Sequence, residues 1–495
     1  MAAKSAARIE EEQALLDAIQ DVPDLQCAWQ LLLKYASPRM HYCLRTLPPS
    51  MSRDYAESRD RRLWASAAAM LQGDGLGQDT LDNGWRIASL PSRLGGLGLR
   101  SAVATADAAY WASWADSLPM IQKRNPVLAE RILTRLEAGD VAAESCLGEL
   151  LAARDRLVSE GFSPCPTWRA LSEGARPPKT ESKEAGEFSH GWQYHASAAI
   201  ERNRRCMLLR SLCRARRALL RSQSGPGAGL VLETAPTGPE VTLTPERFLA
   251  VLRRRLRWPL PLHDSACEGC GGDVDQYGDH LSSCIRSGRV QRRAGILERA
   301  VAKICREAGA RVKLNARLVD MNIAVAAADE RRIEVLASGL QCCRGAQLAI
   351  DATLRCVCHR DGAARARADW QDGAVIADAS AEKRAKYHEL AAGGRCRLVV
   401  FAVETGGRIG AEALELIDNL ARVRAQASPQ YLRGAVAFAL SRRWTRIAAV
   451  AAANAWSSGV LDKGDAGEDN GATGPFPWMQ DVLGEARLED LRPRV

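Results

Sequence analysis

Four residues near the middle of the chain have the types and spacing of a metal site. Two thiols are separated by two residues, and an imidazole and a third thiol follow, in the order Cys267, Cys270, His280 and Cys284. Nearby glycines allow the first two sulfurs to approach one ion, and the last pair is spaced to lie on one side of a short helix. Three thiolates and one imidazole form a closed tetrahedral set, which is typical of structural zinc. The alternative is a group of unrelated buried thiols beside an unconnected histidine.

A second group of residues has the chemistry of phosphodiester hydrolysis. Glu334 and Asp351 lie in two consecutive segments with partly alternating apolar residues, which predict neighbouring strands. Two convergent carboxylates repel each other unless a cation lies between them, and Mg²⁺ or Mn²⁺ prefers such oxygen ligands. Lys383, Lys386 and Tyr387 follow on one side of an expected helix. Together they indicate metal-assisted hydrolysis, whereas each residue alone is equally typical of an ordinary polar surface.

Two arginine-rich segments precede the zinc motif. The first covers about 198–222, and the second begins with Thr244 as N-cap and Pro245 as first helical residue and ends at Trp258. Guanidinium groups match phosphate oxygens, and neutralised phosphates release counterions. The two helices therefore predict nucleic-acid binding, with a solvated helix face as the alternative. The expected contacts are Arg204, Arg205, Arg216, Arg217, Arg253, Arg254, Arg255 and Arg257.

The apolar pattern assigns the elements that must position these residues. Helices are expected over most of 8–160, at 296–305, 379–392 and 412–426, and over 429–456; strands are expected at 312–315, 332–337, 348–354 and 398–403. Segments 172–190 and 222–239 have the composition of linkers. The Gly- and Asp-rich tail 457–495 is expected to be loosely ordered.

The composition is that of an ordinary globular protein. The chain has 495 residues, of which 46% are hydrophobic and 26% charged, and its net charge of +9 suits a polyanionic partner. The sequence has no apolar run long enough for a membrane span and no secretory signal. Fifteen scattered cysteines favour a reducing compartment, nuclear or cytoplasmic. Those outside the zinc motif, such as Cys342, Cys343, Cys356 and Cys358, are expected to pack as small hydrophobic side chains, with a second zinc site as the alternative.

The order of these segments resembles the C-terminal half of non-LTR retrotransposon polyproteins that carry a restriction-like endonuclease. Five stretches within about 90–410 carry the resemblance: 90–101 with 108–114, which is similar to the region just after the reverse-transcriptase core; the Cys267 to Cys284 motif; 332–334 with 349–353; 383–387; and 403–410. No aromatic-x-Asp-Asp run occurs, so the polymerase palm is absent. The chain is therefore expected to be a fragment or a degraded copy without reverse transcriptase activity.

The resemblance implies a PD-(D/E)XK nuclease fold in which Glu334 and Asp351 hold Mg²⁺ or Mn²⁺. It also implies that Lys386, together with Lys383, replaces the lysine usual on the second acidic strand, where this chain has Thr353. In the family, the zinc knuckle and nearby basic residues contact target DNA or element RNA, and the nick primes reverse transcription. This chain departs from the family at two positions: Glu334 stands where Asp is usual, and Asn315 where many relatives have an acid.

These arguments predict an α+β multidomain protein. Its expected parts are a helical region over 1–160, a linker over 161–194, arginine-rich helices and the zinc knuckle over 195–290, an α/β restriction-endonuclease-like domain over 291–425, C-terminal helices over 426–456 and a tail over 457–495. The expected function is nicking of double-stranded target DNA in retrotransposition, with element RNA as a second partner, no membrane contact, and a homodimer as a further option. The rival is a non-catalytic zinc-dependent nucleic-acid binder whose two acids are relics. A purely structural helical protein is a third hypothesis, which requires metal-free cysteines.

Overall fold

The computed structural model of the chain describes residues 2–178, 190–262, 264–321, 323–343, 345–392 and 396–462. Most of the tail that the sequence predicts to be loosely ordered, and part of the linker 172–190, lie outside these residues. Within them, helices surround a single four-stranded mixed sheet. This arrangement agrees with the α+β class. None of the described helices is both long and apolar enough to cross a membrane.

The N-terminal region is helical, as expected. Its helices are α1 Ala2–Gln20, α2 Leu25–Leu31, α3 His41–Thr46, α4 Pro49–Met70, α5 Gln78–Ala88, α6 Ala102–Arg124, α7 Pro126–Ala138, α8 Cys146–Ser159 and α9 Trp168–Ser172. The glycine-rich stretch between α5 and α6 folds back on itself, with Gly98 N donating to Leu90 O over 2.9 Å. A Cβ at Gly96 would lie 2.0 Å from that same carbonyl oxygen. The close backbone approach therefore requires glycine here.

The arginine-rich region forms α10 Trp192–Ser211, α11 Arg214–Ser222, α12 Leu230–Glu233 and α13 Pro245–Leu256, and α14 Asp279–Ser283 follows in the zinc motif. The prediction of one basic helix over 198–222 is wrong, because Leu212 is extended and separates α10 from α11. The break turns Arg214 and Arg221 toward Asp369 and Asp372, with which they form ion pairs. The start of α13 is confirmed: Thr244 caps it, and Pro245 occupies its first position.

The remaining elements build the sheet and its covering helices: α15 Arg289–Glu307, β1 Arg311–Arg317, β2 Arg332–Ser338, β3 Gln347–Arg355, α16 Ala374–Lys386, α17 His388–Ala392, β4 Cys396–Glu404, α18 Ala411–Ala425 and α19 Arg433–Leu461. The strand order is β1-β2-β3-β4. The first two pairings are antiparallel, and β4 returns parallel to β3 after α16 and α17. A parallel return needs such a helical crossover.

Two boundaries differ from the prediction. The helix expected over 379–392 is two helices separated at Tyr387, whose buried side chain donates from its hydroxyl to Arg332 O over 2.8 Å. The start of the expected tail is wrong because α19 continues to Leu461, where Trp456 and Val460 are buried. The length of an amphipathic helix depends on how far its apolar face packs against the core. The prediction of the tail used only its local glycine and aspartate content, which does not contain that information.

The main hydrophobic core draws on all three of the large expected parts. Trp29 from the N-terminal helices, Phe248 from α13 and Ile350 from β3 belong to one buried cluster, which also contains Trp444 and Trp456 from α19. A second cluster lies among α6 to α10. The sheet is thus held against the arginine-rich helices by shared apolar packing.

Candidate metal centre and carboxylate cluster

The four predicted metal ligands converge, and we call this group the knuckle. Cys267, Cys270, His280 and Cys284 place their ligand atoms within 4.8 Å of one another. The Sγ atoms of Cys267 and Cys284 are 3.8 Å apart, and Sγ of Cys270 lies 3.2 Å from Nε2 of His280. This donor set can bind a metal such as zinc. Within the described residues, Cys356 and Cys358 join no such group and pack in a buried apolar cluster.

Short turns hold the first two thiols of the knuckle. Cys267 N donates to Gly272 O and Gly271 N donates to Cys267 O, both over 2.8 Å. Gly271 has a φ of +66°, which favours glycine. A Cβ on Gly269 would lie 2.2 Å from Arg286 O, so glycine is required there as well. The N–H of Gly272 lowers the pKa of the Cys270 thiol and so favours the thiolate that a metal needs.

The second half of the knuckle is fixed by α14. His280 N donates to Asp275 Oδ2 over 2.7 Å, and Cys284 N donates to His280 O over 2.9 Å. The last contact places the imidazole and the third thiol one helical turn apart, as the spacing predicts. Burial raises the pKa of the Cys284 thiol, so its ionisation needs a bound cation or a nearby donor.

Asp279, the first residue of α14, joins the knuckle to the arginine-rich helix. Its buried carboxylate lies 3.4 Å from Arg254 Nη1 and 2.5 Å from Arg257 Nη2. The Arg257 guanidinium lies over the Tyr277 ring at 3.9 Å, and that of Arg254 over Trp456 at 4.6 Å. These contacts pack the knuckle between α13 and α19.

Two predicted nucleic-acid contacts are interior residues. The side chains of Arg254 and Arg255 are buried. Arg255 donates to the carbonyl oxygens of Ser92, Gly96 and Ala228 over 2.9 to 3.2 Å. Burial lowers its pKa to about 9. In this conformation neither guanidinium is available to a phosphate, so the interpretation of these two arginines as surface contacts is corrected.

The other predicted arginines differ in their surroundings. Arg204 and Arg205 donate to the hydroxyls of Ser89 and Ser224, and burial lowers the pKa of both. Arg217 forms an ion pair with Asp369, at 3.5 Å. Arg257 is bound to Asp279, Arg253 is half-buried, and Arg216 alone among the eight is exposed. Sequence could not separate these cases because each depends on contacts from distant segments.

The structure brings the two predicted acids together with one lysine, and we call Glu334, Asp351 and Lys383 the carboxylate cluster. Val335 of β2 pairs with Ile350 of β3, so the next residues along, Glu334 and Asp351, lie opposite each other. Lys383 Nζ from α16 lies 2.7 Å from Asp351 Oδ2 and 3.9 Å from Glu334 Oε1. Ala352 N donates to the other Glu334 oxygen over 3.0 Å.

The carboxylate cluster has more acidic than basic groups. Asp351 is fully buried, and its Oδ1 has no hydrogen-bond partner among the described residues. Burial and the charge of Asp351 raise the pKa of Glu334 to about 8. Glu298 of α15 has its pKa raised by burial and by the charge of Asp351. Three carboxylates therefore share one lysine.

Sequence reasoning missed Glu298 and ranked the two lysines differently. Lys383, not Lys386, contacts the carboxylates; Lys386 is exposed, with its Nζ 4.7 Å over the Tyr387 ring. Tyr387 is buried and bonded to the backbone of β2. In the sequence, Glu298 is only an acid within the amphipathic pattern of α15. Periodicity alone assigns such a residue to the solvent face of the helix.

The stretch 403–410 fastens the sheet to α11. Glu404 N donates to Arg408 O over 2.9 Å, which closes a tight turn, and Gly406 N donates to the Ser222 hydroxyl over 3.1 Å. Arg408 in turn donates to Arg221 O over 2.9 Å. Burial raises the pKa of Glu404 to about 7. The stretch therefore serves packing between the sheet and the arginine-rich helices.

No model of a known protein family matches this chain, and no curated protein matches it in sequence. Any function must therefore be argued from its own residues and their arrangement.

Proposed function

We propose that the chain is a metal-dependent DNA endonuclease of the restriction-like type, from the C-terminal half of a non-LTR retrotransposon polyprotein. The observation that supports this most directly is the carboxylate cluster. Two acids from adjacent strands and a lysine from the following helix meet at one point of a mixed sheet. Acid, acid and lysine in this order, on strand, strand and helix, match the arrangement expected from the resemblance. Glu298 adds an acid from the helix that precedes the sheet.

The residues present fit a divalent cation such as Mg²⁺ or Mn²⁺. The unpartnered Oδ1 of Asp351 is a buried anionic oxygen. The pKa of Glu334 is raised by burial and next by the charge of Asp351, and a cation bound between the two acids would lower it. Glu334 and Asp351 would hold the ion, which would supply Lewis acidity toward a phosphodiester. The knuckle would hold Zn²⁺ in a structural role.

The remaining groups of the cluster have distinct tasks in this proposal. The Lys383 ammonium, 2.7 Å from Asp351, can donate to a water molecule or to a phosphate oxygen near the acids. Ala352 N fixes one oxygen of Glu334 and leaves the other toward Lys383. Tyr387 positions the start of β2 through Arg332 O. Lys386 is exposed, with its ammonium over the Tyr387 ring, and takes no part in the carboxylate cluster.

The test is a nicking assay on supercoiled plasmid DNA with Mg²⁺ or Mn²⁺. Wild type is expected to nick, Asp351→Ala to be inactive, and Lys383→Ala to be strongly impaired. Lys386→Ala is the matched control, because it removes an identical side chain from the same helix without touching the carboxylates. If Asp351→Ala nicks DNA at the wild-type rate, the assignment of the carboxylate cluster as the active site is refuted.

The rival function is a non-catalytic zinc-dependent nucleic-acid binder, which the knuckle itself favours. In that case the Lys383–Asp351 contact is a plain ion pair that only stabilises the fold. The rival predicts no nicking by wild type under any divalent metal. It also predicts retention of DNA or RNA that is sensitive to salt and lost when zinc is removed by a chelator. Cleavage of target DNA, a homodimer and a nuclear location belong to the nuclease proposal, whereas binding of DNA or element RNA is common to both functions.

A further inference from the structure

A large open groove lies away from both candidate centres. It has a volume of about 1990 Å³ and is bounded by residues 89–105, the first turns of α10, residues 225–233, and α18 with α19. Pockets for small molecules have volumes of about 300–1000 Å³. The groove is therefore large enough for a polymer.

The groove carries arginines that lack acidic partners. Arg100, Arg422, Arg433, Arg442 and Arg446 all line it. Among the described residues, none of these five has a carboxylate oxygen within the 4.0 Å of an ion pair, and the Nε of Arg446 is buried without a hydrogen-bond partner. Burial, and next the charge of Arg100, lower the pKa of the neighbouring His41 to about 4. These five arginines thus leave positive charge in the groove that no direct ion pair with a described residue offsets.

The acids of the groove are mostly engaged. Glu201 forms an ion pair with Arg93 at 2.5 Å, and Glu233 accepts from the hydroxyl of Ser92. Asp418 accepts from the Ser441 hydroxyl over 2.5 Å. Glu415 is the one lining acid for which the described residues show no ion pair or hydroxyl donor. The lining arginines, seven when Arg93 and Arg204 are included, outnumber the four lining acids, so the groove is basic on balance.

An aromatic ring is exposed on each wall, with an arginine beside it. Tyr194 of α10 and Phe438 of α19 are each 38% exposed, and Tyr194 has one face stacked on His190, with ring centres 3.8 Å apart, so the other face is the one that a base could use. The Arg93 guanidinium lies 5.6 Å from the Tyr194 ring centre, and that of Arg442 lies 5.4 Å from Phe438. Aromatic faces flanked by cations are the platforms on which unpaired bases stack in single-strand-binding proteins.

We infer that this groove binds single-stranded nucleic acid, with phosphates on the arginines and bases on Tyr194 and Phe438. Duplex nucleic acid presents phosphates but no free base faces, so it would use only half of these features. The site is separate from the proposed nuclease. Val335 and Ile350 pack in the core with α18 and α19, whereas Leu336 and Ala349, on the sheet face of Glu334 and Asp351, pack with Tyr387. Binding here requires no cleavage.

The experiment measures fluorescence anisotropy of a labelled 16-nucleotide probe of mixed sequence with the zinc-loaded full chain, without Mg²⁺. The probe is used as single-stranded RNA, as single-stranded DNA and as DNA duplex, because RNA and DNA share the chemistry that the groove recognises. Both single strands are expected to bind at least about tenfold more tightly than the duplex through this site. Asp351→Ala, which tests the nuclease, is expected to bind like wild type.

Two pairs of matched variants locate the site. Arg433→Ala/Arg442→Ala is expected to weaken single-strand binding about tenfold and to reduce the salt slope by about 1 to 1.5. Arg131→Ala/Arg135→Ala removes two exposed arginines of α7, outside the groove, and should leave affinity unchanged. Tyr194→Ala and Phe438→Ala should each cost about tenfold, and Tyr194→Phe and Phe438→Tyr should retain binding, which separates stacking from misfolding.

The inference is overturned if the groove arginine variants bind single strands as wild type does. It is equally overturned if the α7 control loses as much affinity as the groove variants. A third outcome is that the arginine variant loses affinity while Tyr194→Ala and Phe438→Ala bind as wild type does. That result would refute the single-strand assignment, and the groove would then be a phosphate-binding surface for duplexes.

Discussion

The knuckle and the carboxylate cluster are built in opposite ways. All four knuckle ligands lie between residues 267 and 284, and turns within that segment hold them. The carboxylate cluster combines β2, β3 and α16, with Glu298 from α15, and exists only once the sheet has formed. The knuckle has a donor set whose charges a metal can balance. The carboxylate cluster has more acids than bases and keeps an oxygen without a hydrogen-bond partner among the described residues.

This difference teaches where stability and chemistry should reside. A closed set of soft ligands packed between α13 and α19 contributes to folding, as structural zinc sites do. A crowded, partly buried group of carboxylates lowers stability and is typical of functional sites. Substitutions at the knuckle should therefore change stability, whereas removal of an acid from the carboxylate cluster should change activity more than stability.

The largest effect is expected from Cys284→Ser. Loss of one thiolate should release zinc and lower the free energy of unfolding by several kcal/mol, since structural zinc sites bind their metal with about 10–16 kcal/mol. Zinc content and urea unfolding measure both quantities. Cys213→Ser, at an exposed thiol, is the control and should change neither. Equal stability of the two variants would show that the knuckle does not need its metal.

Arg255→Ala should come next, with a loss of about 4 kcal/mol, because several buried carbonyl oxygens would lose their donor at once. Arg216→Ala, at the exposed arginine, should change stability by less than about 0.5 kcal/mol. Urea unfolding compares the two. If Arg216→Ala lowered the free energy of unfolding more than Arg255→Ala does, Arg255 would again have to be interpreted as a surface contact.

Lys383→Ala should lower stability by about 3 kcal/mol, because it leaves the buried Asp351 without its cation. Addition of Mn²⁺ should recover part of that loss, since a ligand that binds only the folded state stabilises it. Thermal unfolding with and without Mn²⁺ provides the measurement, and Lys386→Ala is the matched control. Absence of any Mn²⁺ effect would argue against a cation site among these acids.

The last effect, which at most equals that of Lys383→Ala and depends on pH, concerns Glu404, which faces Arg408, Asp372 and Ser222. Its pKa is about 7 in the folded chain and lies near 4.5 when free, so the folded state binds the proton more tightly. The group therefore lowers stability progressively as pH rises from about 4.5 to 7, by up to about 3 kcal/mol. Glu404→Gln should flatten this decline. Its stability relative to wild type should be higher at pH 8 than at pH 5, and a pH-independent difference would contradict the account.

The sequence predicted what depends on local pattern. The knuckle spacing, the Thr244 cap and the strands that carry Glu334 and Asp351 follow from short-range rules of ligand geometry, capping and alternation. The burial of Arg255 and Asp351 could not be predicted, because it requires knowing which distant segments cover them. The preference for Lys383 over Lys386 depends on how α16 is rotated against the sheet, which helical spacing leaves undetermined. Glu298 was missed for the same reason.

The groove is a further case of this limit. Its arginines come from separate places in the chain, Arg100 before α6 and the others on or beside α18 and α19. The arginine-dense segments near the knuckle attracted the prediction instead, although several of their guanidinium groups are used in internal packing. The density of arginines along the sequence therefore did not identify the groove, where arginines lack ion-pair partners.

The most direct test of this account is the rate of Mn²⁺-dependent plasmid nicking by Asp351→Asn beside wild type. Asparagine keeps the shape of the side chain and removes only its charge, and Lys383 still faces Glu334, so the variant should fold, which a thermal unfolding curve checks. We predict nicking by wild type and none detectable by the folded variant. Equal nicking by the two proteins would contradict the claim that the carboxylate cluster is the catalytic centre.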